Sequence, residues 1–177
     1  MKGFNKYYSP SLLNYYDNAR IIEIGYVIFS NDNIKIKEVN VLIKPDNFII
    51  SNTHIHGITT EEAINKGMDI KNVLLELEKD LENVDTIIAH NISFDINIIF
   101  SECYRIKNTN LIEKFKLKNY ICTMKLGQEF MKCKKYPKLI ELHKYLFNND
   151  IVQNHRALSD VIICYECYFE INKNLSK

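Results

Sequence analysis

Proline and glycine are scarce in this sequence, with three and five residues among 177, and they are scattered along the chain. It has no stretch rich in serine, glycine and proline, no internal repeat and no low-complexity tract, so neither a flexible linker nor a solenoid is predicted. Because 46% of the residues are hydrophobic, a chain of this length can bury one full-sized core. We therefore expect residues 1–177 to form a single domain.

Long apolar runs are also lacking, and the lysines near the N-terminus are followed by no apolar stretch. These absences argue against a membrane-spanning helix and against a secretory signal peptide. The five cysteines are an odd number without the spacing of a disulfide framework, which favours free thiols in a reducing compartment. We expect a soluble, intracellular protein, in the cytoplasm or the nucleus, without a membrane partner.

The net charge of +1 is too small for a protein that coats nucleic acid through charge alone. The charge is unevenly distributed, because eleven lysines and arginines lie between Arg105 and Lys144 against three glutamates. That segment therefore carries +8 and the rest of the chain −7. Two interpretations are open: a flank that faces the phosphates of a nucleic acid, or a solvated, lysine-rich surface.

The first half of the chain predicts a hairpin followed by two helices. Residues 20–29 are rich in β-branched and aromatic side chains, and residues 34–43 alternate apolar and charged side chains with one phase slip, which predicts a bulged hairpin. Thr59-x-x-Glu62 is a capping box that opens a short helix. Apolar residues at helical spacing across residues 70–81, after Asp69, predict the next helix.

The second half predicts two strands that each run into a helix. Residues 84–90 form an apolar strand before a helix over residues 94–105, and residues 120–124 form a strand before another helical stretch. Pro137 is placed in the first turn of a helix through Phe147, and the last helix covers residues 157–171. The order ββ, α, α, βα, βα, α is typical of an α/β fold.

Asp95 lies in the first turn of the helix that follows residues 84–90, so its carboxylate is expected at the carboxyl edge of the sheet, where α/β folds place ligands. The alternative is an acid that only stabilises the helix dipole. Asp160 shares a small-residue face of the last helix with Cys164 and Cys167, where an enclosed carboxylate has either a metal or a lysine as its partner. His155 lies just before that helix, as a candidate base or an ordinary surface histidine.

Two motifs around these residues resemble those of the DEDDh, or DnaQ-like, 3′-5′ exonucleases. I-I-A-H-N-x-x-F-D at residues 87–95 is similar to the second motif of that family, and H-R-A-L-x-D at residues 155–160 is similar to the third. Further agreement is found in R-I-I-E-I-G-Y-V (20–27), I-K-P (43–45), I-H-G-I-T (55–59) and C-T-M (122–124). The match spans nearly the whole chain in the correct order, which makes it far more specific than any single motif.

The resemblance implies a ribonuclease H-like mixed sheet flanked by helices, and hydrolysis at nucleic-acid 3′ ends with two Mg²⁺ or Mn²⁺ ions. By position, Asp95 and Asp160 would bind metal and His155 would be the general base. Phe94 and the His56-Gly57-Ile58 loop would lie beside the terminal nucleotide. The expected partner is a 3′ end, most simply a single-stranded one, with a polymerase or a second copy of the chain as further possibilities.

One part of the family pattern is expected to be absent. In the family, a first central strand ending in D-x-E-T-T-G-L-P precedes the R-I-I-E-I-G segment and supplies two metal-binding carboxylates. Here the residues before Arg20 resemble the loop after that motif, and Glu23 alternates within a strand and is no substitute. Because close pairs of divalent ions need several acidic ligands, we expect impaired activity. The alternative function is a non-catalytic nucleic-acid-binding or scaffold protein on the same fold.

Overall fold

The computed structural model describes residues 8–175. The strands, in chain order, are β1 (Glu23–Phe29), β2 (Lys35–Leu42), β3 (Thr86–Ala89) and β4 (Asn119–Cys122). The helices are α1 (Thr53–His56), α2 (Thr60–Lys66), α3 (Ile70–Asp80), α4 (Ile92–Arg105), α5 (Thr109–Lys116), α6 (Thr123–Phe130), α7 (Leu139–Phe147) and α8 (Ala157–Leu175). The α/β class predicted from the sequence is confirmed.

β1 and β2 form the expected antiparallel hairpin, with Glu23 opposite Leu42. A bulge lies near its tip, where Ile28 pairs with Lys37 and Phe29 pairs with Lys35. The phase slip in the sequence therefore marks a real extra residue in β2, one or two positions from where the alternation breaks.

β3 and β4 form a parallel pair, with Thr86 opposite Asn119 and Ala89 opposite Cys122. Among residues 8–175, β1 pairs only with β2 and β3 pairs only with β4, so the strands form two separate pairs. Both β1 and β3 pack against α8. The long last helix is thus the element that connects the two halves of the sheet layer.

α8 meets β1 through aromatic contacts and one close backbone approach. The Phe29 ring lies edge-on to Tyr165 and Phe169, with centroid separations of 5.1 and 5.0 Å. At Gly25 a Cβ atom would lie only 2.7 Å from the Leu158 nitrogen, so the absence of a side chain lets the start of α8 sit directly on the strand. The small residue Cys167 is completely buried where the same helix packs on its neighbours.

Local signals predicted the caps of α2 and α3. The Thr59 side chain accepts a hydrogen bond from the Glu62 amide at the start of α2, and Asp69 accepts bonds from the Lys71 and Asn72 amides at the start of α3. In α3 the predicted apolar face is buried, with Leu74 fully inaccessible to solvent. These helices are confirmed because their signals lie within a few residues of each end.

One helix was missed from the sequence, and two local predictions were wrong. α5 was not predicted, although Asn108 caps it and its apolar side chains are buried, because it is short and rich in lysine. Residues of α1 were placed in a loop. Pro137 does not lie in the first turn of α7; the helix begins at Leu139, and the Pro137 carbonyl oxygen accepts a hydrogen bond from a distant histidine instead.

Within residues 8–175 no helix is both long enough and apolar enough to cross a membrane.

Candidate active site

Asp95 lies in the first turn of α4, immediately beyond the carboxyl end of β3. Asn91 takes a left-handed conformation, with φ of 64°, and turns the chain from the strand into the helix. The side chain is accessible to solvent, yet the protein atoms around it remove enough water to raise the pKa of its carboxyl to about 7, and the negative charge of Asp160 adds to this rise. Asp95 and Asp160 therefore lie close enough for their charges to interact.

Asp160 lies in the first turn of α8 and is half-buried. Its burial raises its pKa and the charge of Glu23 acts in the same direction, while a hydrogen bond from Gln153 Nε2 at 2.8 Å and the nearby His155 ring oppose the rise. Cys164, one turn further along α8, has its pKa raised to about 11, chiefly by burial and in part by the charges of Asp95 and Asp160. The two carboxylates and this thiol therefore occupy one neighbourhood.

His155 is exposed and precedes α8 in a left-handed conformation, with φ of 53°. A residue other than glycine adopts this conformation at an energetic cost, so the surrounding contacts must hold it there. The ring lies close enough to Asp160 to lower the pKa of that carboxyl. The structure thus brings together the three residues that the sequence suggested for metal binding and general base, on α4, α8 and the loop before α8.

Glu23 holds the start of α8, a role that the sequence did not reveal. Its carboxylate, 4% exposed, accepts hydrogen bonds from Arg156 Nη2 at 2.7 Å and from Arg156 Nε at 3.1 Å. The Ala157 amide donates to the same carboxylate at 2.8 Å. Burial by itself would raise the pKa of Glu23, but these hydrogen bonds outweigh it and lower the pKa. The sequence offered one signal for this ion pair. Glu23 is a charged residue at an inward position of a strand, and Arg156 is an arginine next to His155, the candidate base.

A buried polar chain joins the ends of β3 and β4 to α8. The Thr123 hydroxyl lies 3.1 Å from His90 Nδ1 and 3.5 Å from Cys164 Sγ, and His90 Nε2 lies 3.1 Å from the Pro137 carbonyl oxygen. Because a carbonyl only accepts, Nε2 carries the proton and Nδ1 of the neutral ring accepts from Thr123. Burial lowers the pKa of His90, which keeps the ring neutral, although the bond to Pro137 opposes this.

The predicted substrate loop is organised by its own hydrogen bonds. His56 Nδ1 accepts a hydrogen bond from the Ile58 amide, and His56 Nε2 lies 3.0 Å from the Ser51 carbonyl oxygen. The ring therefore stabilises the conformation of the loop. Ile58 is 1% exposed and packs in the core, so its side chain is closed to a ligand, and its amide already donates to His56 Nδ1. Gly57 is exposed with φ of 74°, and Phe94 is half-buried in the first turn of α4.

The donors in this cleft suit a divalent ion, because two oxygen ligands with excess negative charge lie together. Across residues 8–175, however, no group of three or more histidine, cysteine, aspartate or glutamate side chains is arranged to hold a metal. The described residues therefore fit the binding of a single hydrated ion through two carboxylates. They do not by themselves fit a close pair of ions, which needs more acidic ligands.

Comparison with known families decides the wider identity of the chain. A family model described as "Exonuclease" matches residues 4–168, which includes both carboxylates and the loop between Gln153 and Ala157. The chain belongs to the DEDDh, DnaQ-like exonuclease family. The elements that carry Asp95, His155 and Asp160 therefore lie inside the family domain.

Curated relatives of the chain carry the names of DNA polymerase III proteins. The chain is similar to DNA polymerase III subunit epsilon of Buchnera aphidicola subsp. Schizaphis graminum, with 28% identity over 86% of the chain and 65% of that protein. It is similar to the same subunit of Rickettsia conorii, with 28% identity over 86% of the chain and 65% of the relative. DNA polymerase III PolC-type of Ureaplasma parvum is 29% identical over 88% of the chain, but the match covers 10% of that protein. The chain thus spans slightly less than two thirds of the epsilon subunits that it matches.

Proposed function

We propose that this protein is a 3′-5′ exonuclease that hydrolyses the terminal phosphodiester bond of a single-stranded nucleic acid. The observation that carries the proposal is that Asp95 and Asp160 lie close enough for the charge of Asp160 to raise the pKa of Asp95. Membership of the exonuclease family and the names of the curated relatives support nucleic acid as the substrate. The same names support a polymerase as the partner that delivers the 3′ end.

In this proposal Asp95 and Asp160 bind Mg²⁺ or Mn²⁺ through their carboxylate oxygens. When bound, such an ion supplies positive charge that favours ionisation of water and stabilises negative charge on phosphate oxygens. His155, exposed beside Asp160, accepts the proton of the attacking water, since an imidazole nitrogen can act as a general base. The Gly57 backbone, the His56 ring and the Phe94 ring contact the terminal nucleotide.

Catalysis with two ions requires acidic ligands in addition to Asp95 and Asp160, because two close divalent cations repel each other strongly. We therefore propose that this chain cleaves slowly or not at all by itself. The second candidate function is binding of nucleic acid without cleavage. The specific observation that favours it is that the cleft holds two carboxylates within the described residues.

The test combines metal binding with end-specific cleavage. Thermal melting with and without Mn²⁺ should show stabilisation of the wild type, loss of that stabilisation in Asp160→Asn, and retention in Asp85→Asn, since Asp85 precedes β3 at the opposite end of the strand. Digestion of 5′-labelled single strands, with the 3′ hydroxyl free or blocked, then measures shortening from the 3′ end. Stabilisation with 3′-end cleavage supports the exonuclease, whereas strand binding without either effect supports the second function. Cleavage that Asp160→Asn leaves unchanged would overturn the site.

A further inference from the structure

The structure divides the basic segment of residues 105–144 into two groups of cations. Members of the first group are neutralised by nearby acids. Lys114 pairs with Glu82 at 3.1 Å, Lys116 with Glu113 at 2.7 Å and Lys144 with Asp150 at 2.8 Å. These lysines add little to the attraction of a phosphate chain because their charges are already balanced.

The second group is concentrated in the connection between α6 and α7, residues 132–138, which we call the lysine loop. Lys132, Lys134, Lys135 and Lys138 are all exposed there, and within residues 8–175 their side chains form no ion pair. Tyr136 lies among them with 48% of its surface exposed. Unpaired cations around an exposed aromatic ring are the combination that binds a single strand, through phosphate contacts and base stacking.

The lysine loop is held in one conformation by its own contacts. Gln128 Nε2 donates to the Lys134 carbonyl oxygen at 2.9 Å, and Cys133 Sγ donates to the Lys135 carbonyl oxygen at 3.1 Å. Lys132 takes a left-handed conformation, with φ of 51°, at the start of the loop. A loop that is already ordered loses less conformational entropy when it binds a ligand.

The lysine loop also lies beside the carboxyl edge of β3. The hydrogen bond from His90 Nε2 to the Pro137 carbonyl oxygen, at 3.1 Å, ties the loop to the residue that follows β3. Asp95 emerges from α4 only five residues after His90. A strand whose 3′ end reaches the two carboxylates can therefore run along this loop.

We propose that the lysine loop binds the phosphate backbone of the single strand whose 3′ end enters the Asp95–Asp160 cleft, and that Tyr136 stacks on one of its bases. This inference rests on the proposed function for the direction of the bound strand, whose 3′ end points toward Asp95 and Asp160. The binding itself needs no metal. The proposed ligand is a single-stranded polynucleotide. DNA and RNA oligonucleotides of equal length and sequence show which of the two the loop binds.

The test is fluorescence anisotropy of labelled single strands in EDTA, over a range of salt concentrations. The triple variant K132Q/K134Q/K135Q should bind roughly tenfold more weakly, and the slope of log K against log salt should fall by about 2, because each lost phosphate contact on a single strand removes about 0.7. Tyr136→Ala should weaken binding without a change in slope, and Tyr136→Phe should bind as the wild type does. A matched control, K79Q/K116Q/K144Q, removes the same charge from lysines that are paired, and should change affinity less than about twofold.

Two results would overturn the inference: equal losses in the loop and control variants, or no binding of either single strand by the folded wild type. Circular dichroism melting establishes that each variant is folded. A different pattern is expected if only the proposed function is wrong. The loop variant then still binds single strands more weakly than the wild type in EDTA, but the wild type does not cleave them when Mg²⁺ is added.

Discussion

At the scale of single residues, Asp95 combines solvent exposure with a pKa of about 7. In an unfolded chain an aspartate titrates near pH ~3.9, so the folded state holds an extra proton between roughly pH 4 and pH 7. A raised pKa of this kind contributes stability at low pH that is lost as the pH rises through the folded value. The same carboxylate that destabilises the metal-free protein at neutral pH is therefore ready to bind a cation.

Replacement of Asp95 by asparagine should remove this pH dependence. In EDTA the melting temperature of Asp95→Asn should exceed that of the wild type at pH 8 and match it near pH 4, because the variant has no charge to desolvate. Melting curves measured across this range check the prediction, with Asp85→Asn as the control for loss of one exposed acid. The prediction is wrong if the difference in melting temperature between Asp95→Asn and the wild type is the same at pH 4 and at pH 8.

The ion pair between Glu23 and Arg156 gives a second prediction at this scale. Arg156→Gln leaves the buried Glu23 carboxylate without its partner, so the free energy of unfolding should fall by about 3 kcal/mol. The double variant E23Q/R156Q should lose less than the sum of the single changes, because no buried charge remains. Urea denaturation measures each loss, and Lys35→Gln, which breaks an exposed pair with Glu38, should have little effect. Additive losses would show that the pair is not coupled.

At the scale of elements, the start of α8 is positioned by residues two apart on β1. Glu23 accepts hydrogen bonds from Arg156 and Ala157, and Gly25 allows the helix backbone to approach. Both residues face α8 because successive side chains of a strand alternate between its two faces. The strand therefore sets the position of the loop and first turn that carry His155 and Asp160.

Gly25→Ala should disturb this position. The added Cβ would lie 2.7 Å from the Leu158 nitrogen and 2.8 Å from the Ala157 carbonyl carbon. Both are backbone atoms, which cannot move away by a side-chain rotation. The free energy of unfolding is therefore expected to fall by about 1–3 kcal/mol. Gly127→Ala is the matched control, because its Cβ would meet only side-chain carbons of Leu142. Urea denaturation and Mn²⁺-dependent melting should both be affected more strongly at Gly25. Equal effects at the two glycines would refute this role of β1.

At the scale of the whole molecule, the two strand pairs are not hydrogen-bonded to each other within residues 8–175. α8 packs on both β1 and β3, and side chains of both pairs enter a core shared with α3 and α5. Among the described residues, β1 and β3 each have one edge without a strand partner, and unpaired backbone groups at such edges favour the addition of another strand. An added strand between them would approach both candidate metal ligands, because β3 leads into Asp95 and β1 supports the start of α8.

A version of the protein extended before Met1 by roughly ten residues, forming a strand that ends in Asp-x-Glu, should therefore be more stable and should cleave in Mg²⁺. The same extension ending in Asn-x-Gln separates the two effects, since it supplies backbone pairing without carboxylates and should raise only the melting temperature. The measurements are thermal melting and digestion of 5′-labelled strands for the three proteins. Equal melting and equal cleavage by all three would rule out strand insertion at this place.

The sequence by itself determined the α/β class, the hairpin, the caps of α2 and α3 and the motifs around Asp95 and Asp160, because each of these signals lies within a few neighbouring residues. It did not reveal α5, where abundant lysine masks a short apolar face. Only the tertiary structure decided that Glu23 pairs with Arg156, 133 residues away, and that the Ile58 side chain is buried. It also decided which lysines are neutralised by acids and which remain unpaired beside β3. Such facts depend on the packing of distant segments, where burial and the distance between charges, rather than residue type, fix what a side chain can do.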